Sequence, residues 1–254
     1  MLDTLQDVLC IILVVGGSLL FLWLLERFWP GDKRIKHNDI IGWQLGILGT
    51  TYAVILGFML YTVWINFGAA DLNADAEANA VVNVYRLAKG LPNQQCTQIQ
   101  QTARAYADAV INKDWPAMAR NDPGQLESHV LNQELWRILM SVKAATPTEL
   151  TAEDHALYEL SALAEHRRTR RLQSASRLPA ILWFVLIVGG IVTIMSSCMF
   201  GAANTRLHAI QVFFFSLLIA LVLVAIADID RPFQGVVHVS DAPFRRAQQN
   251  MNEQ

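Results

Sequence analysis

Between Ile41 and Gly68 the sequence contains no charged side chain at all. About 20 consecutive apolar residues suffice to cross a bilayer as a helix, so an uncharged run of this length argues against a water-exposed helix there. Cysteine is scarce as well: three residues, with Cys10 and Cys198 inside apolar blocks and Cys96 between them, which gives no disulfide framework. Neither sign of charge is in surplus, the net being −2, and no nucleic-acid partner is expected. Motifs that carry chemistry are missing too. There is no HExxH, no Glu-x-x-His pair, no GxSxG elbow, no Walker-type loop and no GxGxxG. His37, His129, His155, His166, His208 and His238 are scattered, and Cys96 has no histidine beside it in sequence. No enzyme, metal or cofactor is expected from such a chain.

What the chain does have is apolar residues, 53% of 254, pooled into long blocks near both ends. Four blocks are long and uncharged enough to span: roughly Leu5 to Phe28, Ile41 to Gly68, Leu178 to Phe200 and Leu207 to Ala227. The first begins "MLDTLQD", acidic where a signal peptide is basic, and is read as a permanent span. Short links, "WPGDKRIKHND" and "GAANTR", join the spans in pairs. The expected architecture is an all-α membrane protein: a first hairpin over 1–68, a helical soluble region over 69–177, a second hairpin over 178–230 and a C-terminal tail over 231–254.

An even number of spans puts both termini and the middle on one side. Arg167, Arg168, Arg170, Arg171, Arg177, Arg231, Arg245 and Arg246 lie on that side near the spans, against Lys33, Arg34, Lys36 and Arg206 in the links. The positive-inside rule therefore favours a cytoplasmic middle, although the first helix, with acid before it and base after it, argues the other way.

The middle reads as helices throughout. After Gly68 the second span continues with Val81, Val84, Tyr85, Leu87 and Ala88 at helical spacing, so it projects past the bilayer as one long helix. A second stripe carries Ile99, Ala103, Tyr106, Val110 and Ile111. A third starts at Asp122-Pro123 and runs through Leu126, Val130, Leu131, Leu135, Ile138, Leu139 and Val142. A fourth starts at "TPTE", with Thr146 as cap and Glu149 in the capping-box position, and continues through Leu157, Leu160 and Leu163.

Three stretches invite a functional reading. The cluster "HRRTRR", with Arg167, Arg168, Arg170 and Arg171, is either an interfacial anchor for anionic lipid or, repeated around an oligomer, a ring that concentrates anions. After the last span, Asp228, Asp230, Arg231 and Pro232 serve as a stop, and Phe233 to Gly235 read as a tight turn that presents Phe233 to neighbouring helices. In the second span, Thr50, Val54 and Phe58 stand at i, i+4 and i+8 with Thr62 continuing the row, which aligns them on one face. That face either lines a symmetry axis or packs on a neighbouring helix, where Gly46, Gly49, Ala53 and Gly57 permit close approach. None of the spans carries an ionisable group in its interior of the kind that marks a proton relay.

These stretches together resemble the bestrophin-like family of bacterial membrane proteins, distantly similar to bestrophin anion channels. The matching segments are "VILGFMLYTVW", "HRRTRR" followed by "LP", and "DRPFQG". The resemblance implies a homo-oligomer, five subunits by analogy with bestrophins and four as the alternative. It also implies a pore lined by the second spans, with an apolar neck of three residues ending at Phe58. Two departures stand out: Thr50 is not apolar and Val54 is smaller than the family's aromatic residue, and "VVHVSD" replaces the acidic run that binds calcium in animal bestrophins. The reading is thus a channel for chloride or other small anions in the bacterial inner membrane. The alternative is a membrane-anchored structural or signalling module whose helical part binds a partner protein.

Overall fold

The computed structural model describes residues 2–122 and 127–253. Among these the chain is helix and turn, with no strand. The helices are α1 (Leu2–Phe28), α2 (Gly31–Arg34), α3 (Asn38–Leu87), α4 (Asn93–Ala109), α5 (Trp115–Ala119), α6 (Glu127–Leu139), α7 (Pro147–Ala175), α8 (Ala180–Met199), α9 (Thr205–Ile229) and α10 (Ala242–Asn252). The expected all-α architecture is what is found, and α3 continues unbroken for 50 residues. Four helical segments are long and apolar enough to cross a membrane. The chain divides into two compact units, Met1–Ile65 with Arg177–Asp230, and Asn66–Ser176 with Arg231–Gln254.

In the first unit α1, α8 and α9 pack on one another. Lipid tails are as apolar as leucine, so close packing and hydrogen bonds, not escape from water, must hold such helices together. Both are present. Tyr52 of α3 lays its ring on Gly189 and Gly190 of α8, where a Cβ would stand 2.8 Å from the ring, and donates its hydroxyl to the Leu186 carbonyl at 2.8 Å. Ser18 of α1 donates to Ser216 of α9 at 3.0 Å, both side chains being buried.

The two links close on each other. Arg34, without exposed surface, pairs with Glu26 and donates to the Cys198 carbonyl at 2.5 Å, while Glu26 also accepts from the Gly31 amide at 3.0 Å. His208 sets its Nε2 3.2 Å from the neighbouring Ser197 carbonyl. Two of the last carbonyls of α8 are thus met by side chains from other segments, that of Ser197 in addition to the Phe200 amide. Asn38 and Gly201 exchange two hydrogen bonds, of 2.9 and 2.8 Å. A Cβ at Gly201 would lie 2.3 Å from the Ile35 nitrogen, so only glycine fits there.

The second unit has a water-type core. Ala70, Ala74, Ala78, Val81, Tyr85 and Ala88 of α3 bury against Ile99, Ala103 and Tyr106 of α4, Leu135, Ile138 and Leu139 of α6, and Leu160 and Leu163 of α7. Thr146 caps α7 in a full capping box with Glu149. One expected stripe shifts: Val130 is 58% exposed, and α6 instead buries Ser128 and Asn132 with Leu135, Ile138 and Leu139. Leu126 and the expected helix start at Pro123 lie outside the described residues. The segment after α9 is built into this unit, for Phe233, Val239, Phe244, Ala247 and Met251 are all core residues. Between α4 and α5, Val110–Asp114 form a π-turn just ahead of Pro116, whose ring nitrogen cannot donate.

Candidate functional site

The row expected on the second span lies on one side of α3. Val54 is 52% and Phe58 65% exposed in the protomer, and Thr50 and Thr62 are exposed as well, whereas Tyr52 and Val63 on the opposite side are buried. The threonines are less polar in place than on paper. Thr50 donates its hydroxyl to the Gly46 carbonyl and Thr62 to the Phe58 carbonyl, each at 2.8 Å. A hydroxyl that bonds back one turn leaves its methyl as the group that faces outward. Beside the row, Gly49, Ala53 and Gly57 of α3 and Leu218, Ile219 and Val222 of α9 line an apolar cavity of about 300 Å³.

The four arginines do not stay together. Arg168 and Arg171 are exposed and Arg167 is half-buried, its Nε and Nη1 shielded from solvent without a hydrogen bond in the protomer. Arg170 departs from the expected anion- or lipid-contacting set, because it is fully buried. Its Nε and Nη2 donate to the two Glu77 oxygens at 2.7 and 3.0 Å, and Nη2 also reaches Asp114 at 3.3 Å. Its guanidinium stands 5.4 Å from the Trp115 ring centroid. Tyr106 donates to Glu77 at 2.6 Å. Burial by itself would pull the Arg170 pKa down, but Glu77, with Tyr106 and Asp114 adding to it, holds the group above the ordinary arginine value. Burial, with Glu77 adding to it, holds the Tyr106 phenol well above the usual tyrosine range.

The residues after the last span serve two structural tasks and form no common site. Both oxygens of Asp230 accept from the Leu178 amide, at 3.0 and 3.2 Å, tying the end of α9 to the approach to α8. Asp228 is half-buried and Arg231 exposed. The turn is real: Gln234 N donates to Arg231 O at 2.9 Å, Val239 N to Pro232 O at 2.7 Å, and Gly235 takes φ 81°, where a side chain would be strained. It delivers Phe233 edge-on to Trp115 at 5.4 Å, while Phe244 meets the same indole at 5.6 Å. The Trp115 Nε1 donates to the Val239 carbonyl at 3.1 Å. Among the described residues no group of three or more His, Cys, Asp or Glu is placed to hold a metal.

Reading by motif missed Glu77, Asp114 and Tyr106, which meet Arg170 from α3, the π-turn and α4. A signal existed. Glu77 is an acid set among Ala74, Ala78 and Val81 on a buried stripe, and Arg170 continues the buried series Ala156, Leu160, Leu163 one heptad further on.

Comparison with known proteins agrees with this architecture. A family model for the bestrophin-like domain matches residues 12–244. No curated protein matches the sequence. A solved variant of a bacterial bestrophin homologue from Klebsiella pneumoniae superposes with a TM-score of 0.72 at 11% identity, covering 98% of each chain. A second variant of that homologue gives 0.65 at 12% identity, covering 96% of this chain and 98% of its own. A further structure, described as a membrane protein, gives 0.63 at 11% identity, over 96% and 97%. Identities this low establish the fold, and the family match spans most of the chain. The chain is an integral membrane protein and belongs to the bestrophin-like domain family.

Proposed function

We propose that the protein is an oligomeric ion channel for chloride or other small anions, its pore lined by α3. One observation carries the reading: the row Thr50, Val54, Phe58 and Thr62 is left uncovered by the protomer, while the opposite side of the same helix is buried. Copies of that row around an axis would stack as rings, with Phe58 forming an apolar constriction able to gate by dewetting. Back-bonded threonines suit such a neck, since they present methyl groups. The apolar cavity beside Gly49, Ala53 and Gly57 gives a neighbouring subunit room to approach. The family resemblance favours a homo-pentamer, with a tetramer as the alternative. Arginines near the spans favour a bacterial inner-membrane protein with its termini and helical unit in the cytoplasm.

Purified protein in liposomes tests the reading. Phe58→Ala should remove an apolar ring and raise anion flux over wild type. A wild type that conducts nothing, with a mutant that is merely less stable, refutes the channel and leaves the membrane-anchored module.

A further inference from the structure

We infer that the exposed face at the end of α7, formed by Arg168, Arg171 and Leu172, is a docking surface for anionic phospholipid headgroups. The inference goes beyond the channel reading and stands without it. Arg168 is followed by Arg171 at i+3 and Leu172 at i+4, so the three share one helical face, and Ala175, also exposed, continues it. Arg170, between them in sequence, points into the core and is satisfied there by Glu77 and Asp114. The outer pair has no such sink. Arg168 meets Glu165 at 3.7 Å with side chains 71% and 64% exposed, a geometry that contributes little.

Next to them on the same face stands Leu172, 60% exposed. A free small anion offers such a side chain nothing. A phospholipid offers both halves: phosphate oxygens for the planar donors of arginine, and an acyl boundary for the leucine. Chain order sets this face just before a membrane-crossing helix: Arg171 and Leu172 lie nine and eight residues ahead of Ala180, where α8 starts. Basic residues in such a juxtamembrane position are the kind that an anionic leaflet attracts.

Native mass spectrometry of the protein released from nanodiscs of equal phosphatidylglycerol and phosphatidylcholine should show retained lipid enriched in phosphatidylglycerol. Arg168→Gln with Arg171→Gln should cut the enrichment by roughly fivefold per arginine. Glutamine is a good helix former, so the exposed substitutions keep the fold readable. Leu172→Asn, with both arginines kept, should lower retained phosphatidylglycerol by roughly threefold. Equal retention of the two lipids by wild type, enrichment unchanged in the double variant, or retention unchanged in Leu172→Asn overturns the proposal. A second measurement separates headgroup from free anion. Phosphatidylglycerol should raise the melting temperature of wild type and not of the double variant, and sodium phosphate at equal phosphate concentration should not. Equal protection by inorganic phosphate assigns the face to soluble anions and overturns the lipid reading.

Discussion

Arg170 and Glu77 meet side-on through two hydrogen bonds of 2.7 and 3.0 Å, and neither side chain has any exposed surface. Removing the arginine alone strands two carboxylates, Glu77 and Asp114, in a closed core. Arg170→Met should therefore lower stability by about 3–5 kcal/mol, whereas adding Glu77→Leu to it should restore part of the loss. Denaturant unfolding followed by tryptophan fluorescence measures both; a double variant weaker than the single would contradict the pairing.

Tyr106 predicts an alkaline signature. Its folded pKa is raised, so the native state holds the phenolic proton where the unfolded chain has released it. Stability from this group is fully present below the unfolded value, about 10, and declines as pH rises from there toward the folded pKa. Tyr106→Phe should be less sensitive than wild type above about pH 10. Parallel melting curves of the two proteins across that range check this, and equal slopes would show that Tyr106 does not titrate with unfolding.

The link region predicts intolerance to small changes. Gly201→Ala places a Cβ against the Ile35 nitrogen and the Arg34 backbone, at 2.3 and 2.6 Å, where backbone cannot give way cheaply. Arg34→Gln leaves Glu26 without its cation, with only the Gly31 amide still bonded to it, and the Cys198 carbonyl without its guanidinium donor, a loss of about 3 kcal/mol or more. Both variants should melt well below wild type in the same detergent. Wild-type melting would mean that the links do not close as described.

Thr62→Val keeps the outward methyl and discards a hydroxyl that already serves the Phe58 carbonyl. Anion flux should barely change, in contrast to Phe58→Ala. A large change in flux or selectivity would show that the hydroxyl turns to the permeating ion.

Orientation is open to chemistry at Cys96, which is half-buried in the helical unit. In a Cys10→Ser background, a membrane-impermeant maleimide should leave intact cells unlabelled and react at Cys96 after lysis. Labelling of intact cells reverses the topology.

How much of this was legible depends on which physical rule dominates locally. The spans, the long α3 and the Thr146 capping box follow from hydropathy, helical spacing and short-range hydrogen bonds, all of which a linear sequence carries. Phe233 was legible as a turn residue, yet Trp115 as its target was not, because that contact joins elements more than 100 positions apart. Arg170 was misplaced for a sharper reason. A run of arginines reads as surface, and only one residue step, about 100° of rotation, separates Arg171, which is exposed, from Arg170, which two acids on other elements draw inward. Val130 failed through the opposite substitution, since Ser128 and Asn132 take the buried positions of α6. The row on α3 was legible as a face, while what covers that face depends on partners that no single chain encodes.

The indole of Trp115 is flanked by Phe233 and Phe244 and bonded to Val239, and all three are encoded downstream of the fourth span. During synthesis, then, the ribosome has delivered every membrane helix before the helical unit receives the side chains that finish its interior. Until that moment Trp115 lacks the two rings and the carbonyl that surround it in the finished chain. The order of translation thereby makes membrane insertion come first and closure of the helical unit last, and a nascent chain stalled before Phe233 should remain a chaperone substrate even with all four spans in place.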